Sequence, residues 1–240
     1  MEKTNAQRFI SAYNTIDYAL RAQYGFKQGM SFSEVIRKTV TLDSVVRKYE
    51  DVLVDYGRLR NAIIHRSKED YVIAEPHTEV VEDFERIAAL ITTPPKVLDV
   101  VCKGPVTSVQ GELKIKDVIQ IISQTGFSNI PVSMGNEIIG VANGQRIINH
   151  LGKAVAKGMD LEDFCNTKNI ADLVKNENIA NPYYVVADKN LTIEQALNLF
   201  YTNRKLLVIL ITKSGNFNEM PIGIVTVADI MDMNKIIENY

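Results

Sequence analysis

The segment Arg60-Asn61-Ala62-Ile63-Ile64-His65 brings together a permanent cation, an amide and an imidazole. Asn61 and His65 are four residues apart, so a helix places them on one face, with Arg60 roughly 100° around the axis from Asn61. A guanidinium suits phosphate oxygens, and a histidine near neutral pH can give or take a proton. Cleavage of a phosphodiester needs both roles. The spacing is equally common on an ordinary helix, where such residues only flank an apolar face.

Charge around this segment is uneven. The stretch from Tyr56 to Lys68 contains cations and no acid, whereas the stretch from Glu69 to Glu85 contains acids and no Lys or Arg. A cationic spot beside an acidic flank suits a small anionic target better than a long polyanion. It also suits a solvated helix face with its balancing neighbours. The net charge of −2 argues against a general nucleic-acid coat protein, so no DNA partner is expected.

The residues that bind metals or form disulfides are sparse. Cys102 and Cys165 are far apart and form no C-x-x-C arrangement, so neither a zinc site nor a disulfide framework is predicted. No apolar run approaches the ~18 residues of a membrane span. The segment Met1-Glu2-Lys3-Thr4 lacks the apolar region of a signal peptide. We therefore expect a protein of the reducing cytoplasm, with no metal requirement and no membrane partner.

Residues 1–93 show a helical pattern throughout. Apolar residues recur at steps of three and four, first at Phe9, Tyr13, Ile16, Leu20 and Tyr24 and then in two later stretches. Four or five helices with short links and no strand pattern predict a small all-α bundle. The segment Thr92-Thr93-Pro94-Pro95 ends the last helix, because proline lacks the amide donor and restricts the residue before it. We place the first domain boundary there.

Beyond the prolines the chain shows short apolar strands and amphipathic helices, and it repeats itself. The apolar positions of segment 113–122 align with those of 191–200, and segment 140–147 matches 223–230. The second copy differs by a loop five residues longer, at 213–220. An internal duplication is therefore predicted, with each copy ordered helix–strand–strand–helix. The copies are assigned to residues 94–152 and 153–240.

The duplicated region, roughly residues 97–240, resembles a tandem pair of CBS (cystathionine β-synthase) domains, also called a Bateman module. In that family the segment Gly-h-h-Ser/Thr-x-x-Asp, where h is apolar, binds the ribose of an adenine nucleotide. Gly223, Thr226 and Asp229 fit it in the second copy. The resemblance implies an α/β pair that binds AMP, ADP, ATP or S-adenosylmethionine as a regulatory ligand rather than as a catalytic cofactor.

The chemistry of these residue types agrees with the resemblance. A hydroxyl at a strand end and a carboxylate three residues later can bind vicinal hydroxyls, beside a helix N-terminus that suits phosphate. Thr226 and Asp229 could equally form a simple capping box. In the first copy Asn143 and Arg146 replace them, and a guanidinium cannot accept hydrogen bonds from a diol. We expect that ribose site to be empty or altered, Arg146 to reach phosphates across the shared cleft, and the adenine to lie near apolar groups such as Val185.

The helical half, followed by such a pair and carrying Arg60-Asn61-x-x-x-His65, resembles a HEPN domain. That family is an all-helical bundle marked by an Arg followed four to six residues later by His, often with a polar residue after the Arg. Many HEPN proteins are metal-independent ribonucleases that act as dimers, whereas others are inert or serve as binding partners. The fold class predicted is α+β multidomain, with a HEPN-like all-α bundle followed by the α/β CBS pair.

A ribonuclease mechanism can be written with these residues. Cleavage by the 2′-hydroxyl of RNA needs a base, an acid and positive charge on the crowded phosphorane. One chain offers a single imidazole in the motif, and a two-fold interface would bring two copies of each group to one cleft. Arg60 would stabilise charge, His65 would move protons, and Asn61 would orient His65 or the substrate.

Two functional hypotheses follow, with a third behind them. The first is a homodimeric ribonuclease whose RNA cleavage is controlled by adenine-nucleotide binding. The alternative is a non-catalytic nucleotide sensor or adaptor whose helical half only dimerises or docks a partner, which the near-neutral charge favours. The third is a purely structural dimerisation module in which both sites have decayed.

Overall fold

The computed structural model describes residues 3–65, 74–175 and 183–239, with the side chain of His65 outside the description. The chain forms two compact units. One comprises Met1–Pro95, Ile193–Gln195 and Asn234–Tyr240, and the other comprises Lys96–Thr192 and Ala196–Met233. Helix and sheet are both present, and no helix in the described ranges is long and apolar enough to cross a membrane.

The first unit is helical over the described part of residues 1–95. Its five helices are α1 (Asn5–Tyr24), α2 (Phe32–Thr39), α3 (Ser44–Lys48), α4 (Glu50–His65) and α5 (Thr78–Thr92). Helix α1 packs against α4 and α5, and α2 packs against α4. The first two helices begin with capping boxes, in which Thr4 pairs with Gln7 and Ser31 with Glu34. Each box satisfies backbone donors that a helix start leaves unpaired.

An aromatic cluster fixes α4 within this bundle. Phe9 and Phe84 are fully buried, with ring centroids 4.7 Å apart. The ring of Tyr56, on α4, lies 4.8 Å from that of Phe84, and its hydroxyl donates a hydrogen bond to Asp83 at 2.9 Å. Burial and this acceptor raise the pKa of Tyr56 to about 12. The helix that carries Arg60 and His65 is thereby held against α1 and α5.

The described residues of the second unit form two three-stranded sheets with the same topology. In each sheet the first strand is parallel to the middle strand, which is antiparallel to the third. The first sheet consists of β1 (Val109–Gln110), β2 (Asn129–Met134) and β3 (Glu137–Asn143), and the second of β4 (Tyr184–Asp188), β5 (Val208–Thr212) and β6 (Gly223–Thr226).

Helices follow the strands in the same order in both copies. After residue 95 the described helices are α6 (Val97–Val100), α7 (Ile115–Thr125), α8 (Gly144–Ala156), α9 (Leu161–Thr167), α10 (Ile170–Val174), α11 (Ile193–Thr202), a 3₁₀ helix (Val227–Asp229) and α12 (Ile230–Glu238). Each copy thus reads strand–helix–strand–strand–helix. The additional first strand of each copy was not predicted, and in the first copy β1 has only two residues, too few for a periodic pattern.

The core of the first copy extends beyond residue 152, where the sequence suggested that it ends. Ile170, Leu173 and Val174 on α10 are buried with the residues of β2 and β3. Gly140 on β3 allows this close packing, since an added Cβ would lie 2.6 Å from Cβ of Val174. The short helix α10 therefore belongs to the first copy in space, although it precedes β4 in the chain.

The segments that lead into the two copies are exchanged between them. Lys96, just before α6, forms an antiparallel bridge with Thr192 of the second copy. Asn169, just before α10, forms the equivalent bridge with Lys114 of the first copy. Each leading segment thus pairs with the copy that it does not precede. As a consequence, the chain that runs from α6 towards β1 passes beside β6.

Candidate nucleotide site and the Arg60 segment

A cavity of about 320 Å³ lies where β6 passes into the 3₁₀ helix. Its volume is at the lower end of the range for small-molecule sites, roughly 300–1,000 Å³. Both copies contribute to its walls. The described lining residues are Val101, Lys103, Pro105, Val106, Thr107, Gly126, Phe127, Ser128, Asn129, Ile224, Thr226 and Asp229.

Thr226 and Asp229 form a rigid pair at one side of the cavity. The backbone N–H and the hydroxyl of Thr226 both donate to Oδ2 of Asp229, at 2.7 and 3.0 Å. The Thr226 hydroxyl oxygen also accepts from the N–H of Ala228 at 3.3 Å. The pair is thus a capping box, yet Oδ1 of Asp229 has no hydrogen-bond partner among the described residues. Because the box holds the carboxylate, Oδ1 is a fixed acceptor beside the cavity.

Gly223 was expected to bind the ligand, but it is absent from the described cavity lining. Because it has no side chain, the segment that contains Leu98 and Cys102 can pack closely against β6. An added Cβ at Gly223 would lie 2.8 Å from Sγ of Cys102, 3.0 Å from Cδ1 of Leu98 and 3.3 Å from Cβ of Ile211. The Cys102 thiol donates a weak hydrogen bond to the carbonyl of Ile224 at 3.6 Å, and burial raises its pKa. The absent side chain at Gly223 therefore gives residues 101–107 their place beside the cavity.

Gly223→Ala is expected to lower the free energy of unfolding by about 1–3 kcal/mol, because the new methyl overpacks this contact. The matched control is Gly152→Ala in the interior of α8, where an added Cβ meets nothing within 4 Å. Glycine loses more backbone freedom than alanine on folding, so this control is expected to raise stability by about 0.5–1 kcal/mol. Urea unfolding of both variants checks the prediction. Equal stabilities would contradict the packing role of Gly223.

The corresponding position in the first copy has a different arrangement. Asn143 is the N-cap of α8, where its Oδ1 accepts from the N–H of Arg146 at 3.1 Å. Its Nδ2 donates to Oδ1 of Asn129 at 2.8 Å. Asn143 is buried and both ends of its amide are engaged. It therefore serves the helix start and the neighbouring strand rather than an open site.

The sequence suggested that Arg146 reaches phosphates across the shared cleft. In the structure Arg146 stacks on Tyr183 and is absent from the described lining of the 320 Å³ cavity. The guanidinium carbon lies 3.9 Å from the centroid of the Tyr183 ring, within the range of a cation–π contact. The buried Tyr183 hydroxyl donates to the carbonyl of Val141. The cavity bounded by described residues beside Asn143 and Arg146 is only about 10 Å³, roughly the room that a single water needs. Side chains therefore fill this position.

Val185, the expected neighbour of the adenine, is outside the described cavity lining. It lies within β4, opposite Ile209 of β5. Apolar lining comes instead from Val101, Val106, Phe127 and Ile224. Sequence reasoning missed segments 101–107 and 126–129 because neither carries a motif, and the first reaches the cavity only through the exchange of leading segments. The internal repeat was the one signal that pointed to two pseudo-equivalent positions.

Arg60 is half-buried on α4 and is held mainly by an aromatic ring. Its guanidinium carbon lies 4.7 Å from the centroid of Tyr13, and its Nη1 donates to Oδ1 of Asn61 at 3.2 Å. Burial raises the pKa of Tyr13, and the positive charge of Arg60 opposes that rise. Nε of Arg60 is buried without a hydrogen-bond partner among the described residues. Among the described residues no carboxylate forms an ion pair with Arg60.

Of the other two groups in this segment, the structure describes the side chain of Asn61 but not that of His65. Asn61 is exposed and accepts from Arg60, and its predicted role in orienting His65 or the substrate stays a prediction. Helix α4 extends to His65, but the histidine side chain lies outside the described part of the structure. In the described ranges no group of three or more His, Cys, Asp or Glu residues is arranged to hold a metal ion.

The repeated sheets and the segments between them form a duplicated α/β module, and its described residues enclose a cavity of small-molecule size. Residues 174–234 match the CBS domain family. A CBS domain is therefore present in the second copy, and it includes the cavity residues Thr226 and Asp229. This family match does not extend to residues 1–173, and no curated protein matches the chain.

Solved structures with low identity are similar to this chain. The CBS domain of a CBS-domain-containing membrane protein from Sphaerobacter thermophilus is 15% identical, with 64% of this chain and 97% of that chain covered and a TM-score of 0.46. CBSX2 in complex with AMP is 17% identical, with 60% and 98% covered and a TM-score of 0.44. The CBS domain pair of protein MJ0100, in complex with 5′-methylthioadenosine and S-adenosyl-L-methionine, is 15% identical, with 59% and 97% covered and a TM-score of 0.43.

Proposed function

We propose that this protein senses an adenine nucleotide, which binds in the cavity beside Thr226 and Asp229. The observation that carries the proposal is Oδ1 of Asp229, a fixed acceptor without a partner among the described residues. Vicinal ribose hydroxyls are donors of the kind that this oxygen can accept. Hydrogen bonds to a charged acceptor are roughly twice as strong as those between neutral groups. The carboxylate would therefore contribute much of the affinity for the sugar.

The apolar part of the cavity suits a purine base. Val101, Val106 and Ile224 supply aliphatic surface, and Phe127, which is 54% exposed, supplies an aromatic ring. Aromatic side chains stack on the faces of bases, and such stacking discriminates little between one base and another. Ser128 and Asn129 line the same cavity and offer polar groups to that edge. The combination is typical of small-molecule sites, which pair apolar walls with a few placed polar groups.

Ligand binding at this cavity would act on the pairing of the two copies. Segments 101–107 and 126–129 come from the chain around the first copy, whereas Ile224, Thr226 and Asp229 belong to the second. A ligand that touches all three segments favours the arrangement in which they are together. Differential affinity of this kind is what allows a ligand to shift an equilibrium between two states. We propose that the nucleotide regulates the protein in this way.

Calorimetric titration of the purified full chain tests the proposal. AMP, ATP and S-adenosylmethionine form the ligand panel, since AMP and S-adenosylmethionine are the ligands named with two of the similar solved structures. We expect one ligand bound per chain, because Arg146 and Tyr183 fill the position in the first copy. Two ligands per chain would contradict that reading of the first copy. Absence of heat with every ligand would overturn the proposed function.

RNA cleavage by the helical half is a second candidate function, favoured by the state of Arg60. Its cation has no carboxylate partner among the described residues, so it can stabilise a phosphorane. In this proposal two copies of α4 meet in a homodimer, and the paired His65 residues act as base and acid without a metal. The test is cleavage of single-stranded RNA by purified protein in the presence of a chelator. Without cleavage, the non-catalytic sensor or adaptor is the function that remains.

A further inference from the structure

Helix α12 contributes residues to both compact units of the chain. Its residues 230–233 belong to the second unit, whereas 234–238 belong to the first. The 3₁₀ helix that contains Asp229 passes directly into α12. Met233 and Ile237 are buried, one turn apart on one face of the helix. Both halves of α12 are therefore packed, and one continuous helical backbone joins them to the segment that carries Asp229.

Within the first unit, Arg86 of α5 contacts the C-terminal end of α12. Its Nη1 donates a long hydrogen bond of 3.5 Å to the carbonyl of Ile237 and one of 3.1 Å to the hydroxyl of Tyr49. Its Nη2 donates to Oδ1 of Asp83 at 2.5 Å. The last carbonyls of a helix have no partner within that helix, and a cation beside them is favourable. Arg86 therefore anchors the end of α12 to α5.

Asp83 connects the same anchor to α4. Its Oδ1 accepts from Arg86, and its Oδ2 accepts from the hydroxyl of Tyr56 at 2.9 Å. Because the pKa of Tyr56 is about 12, this hydroxyl stays a donor at neutral pH. Arg60 lies one turn further along α4. Hydrogen-bonded groups of the first unit thus run without a break from the end of α12 to the helix that carries Arg60.

We infer that α12 and Arg86 couple the nucleotide cavity to helices α4 and α5. The inference rests on the proposed nucleotide site and adds to it the elements through which the ligand acts. A ligand bound to Oδ1 of Asp229 holds the start of the 3₁₀ helix and opposes local unfolding of α12 behind it. An ordered α12 presents its terminal carbonyl to Arg86, which in turn holds Asp83. Binding that orders one element in this way affects another without a change in the mean structure.

Amide hydrogen exchange of the full chain tests the inference. It is measured without ligand and with saturating AMP, or with ATP or S-adenosylmethionine where calorimetry shows that one of these binds more tightly. In the wild type the ligand is expected to slow exchange in α5 and around Tyr56 of α4 by a factor of about five or more, as for other coupled sites. In Arg86→Met this factor is expected to fall to about twofold or less, while residues 230–233 keep their protection.

Arg21→Met is the matched control. Like Arg86, Arg21 donates to a carboxylate of its own helix and to backbone carbonyls, but its partners are Asp17, Lys27 and Met30, none of which lies in α12. It is expected to keep the full effect of the ligand on α4 and α5. If Arg86→Met does not fold, Arg86→Lys takes its place, since it keeps the charge but loses the planar fork of donors.

The outcomes separate this inference from the nucleotide proposal. Ligand binding that leaves exchange in α4 and α5 of the wild type unchanged would overturn the coupling and leave the nucleotide site in place. The full effect retained in the Arg86 variant, or an equal loss in Arg21→Met, would do the same for the role of Arg86. Failure of all three ligands to bind the wild type would overturn the nucleotide proposal and this inference with it.

Discussion

Asp229→Ala is expected to reduce adenine-nucleotide affinity by about 100-fold. The substitution removes the carboxylate oxygen that is fixed beside the cavity and has no described hydrogen-bond partner. A hydrogen bond to a charged group contributes about 1.5–3 kcal/mol, and two ribose hydroxyls would lose such bonds together. Each 1.4 kcal/mol is a factor of ten in the dissociation constant. Calorimetry with AMP on wild type and variant measures the change.

The same substitution also removes the carboxylate of the capping box, in which Thr226 is the N-cap and Asp229 its partner, so a control must separate the two effects. Asp160 is the N-cap of α9, where its side chain accepts from the N–H of Asp163 at 2.8 Å, and it is absent from the described cavity lining. Loss of an N-cap costs about 1 kcal/mol of stability. Asp160→Ala is therefore expected to lower stability by a similar amount while AMP affinity is retained. Unchanged affinity in Asp229→Ala would remove Asp229 from the site.

The local parts of the candidate site could be predicted from the sequence. A hydroxyl and a carboxylate three residues apart, at the end of a strand, belong to one short segment whose geometry follows from its own backbone. Thr226 and Asp229 could therefore be singled out with no knowledge of the rest of the fold. Their capping role and their place beside a cavity occur together in the structure. The capping alternative and the ligand-binding alternative do not exclude each other, since they use different oxygens of Asp229.

The remaining wall of the cavity depends on contacts between distant segments. Lys103 precedes the first copy in the chain, yet it lies beside Thr226 and Asp229 of the second. That placement follows from the bridge between Lys96 and Thr192 and from the missing side chain at Gly223. Neither periodicity nor motif spacing encodes which copy a leading segment will pair with.

The first copy shows how far residue chemistry alone can lead. The inability of Arg146 to bind a diol follows from its donor-only side chain, and this argued against a ribose site there. Its actual partner, Tyr183, is distant in sequence and is buried among residues of both copies. The ring of Tyr183 is one contact of the Arg146 guanidinium, within the range of a cation–π interaction. The helical half shows a similar contact. Tyr13 was assigned to the apolar face of its helix, and in the structure the guanidinium of Arg60 stacks on its ring.

His65→Ala is expected to lower RNA cleavage by a factor of about 10²–10⁴, if the helical half is the ribonuclease proposed above. General acid–base catalysis contributes rate factors of this size, and the motif contains one imidazole per chain. The measurement is the initial rate of cleavage of a single-stranded RNA, with chelator present. His77→Ala is the matched control, because His77 is exposed at the start of α5 and makes no side-chain capping bond. Equal rates in wild type and His65→Ala would contradict the catalytic role.

A second pair of variants examines the cation in the same assay. Arg60→Gln removes the charge that stacks on Tyr13, whereas Arg58→Gln removes an exposed charge that is paired with Asp55. Only the first is expected to slow cleavage, because a cation already bound to a carboxylate stabilises a phosphorane less.

If the active cleft needs two copies of α4, the rate per chain must also fall when the protein is diluted below its dimer dissociation constant. A rate per chain that is independent of concentration down to the monomer would require one imidazole to act as both base and acid, and the dimeric mechanism would then be wrong.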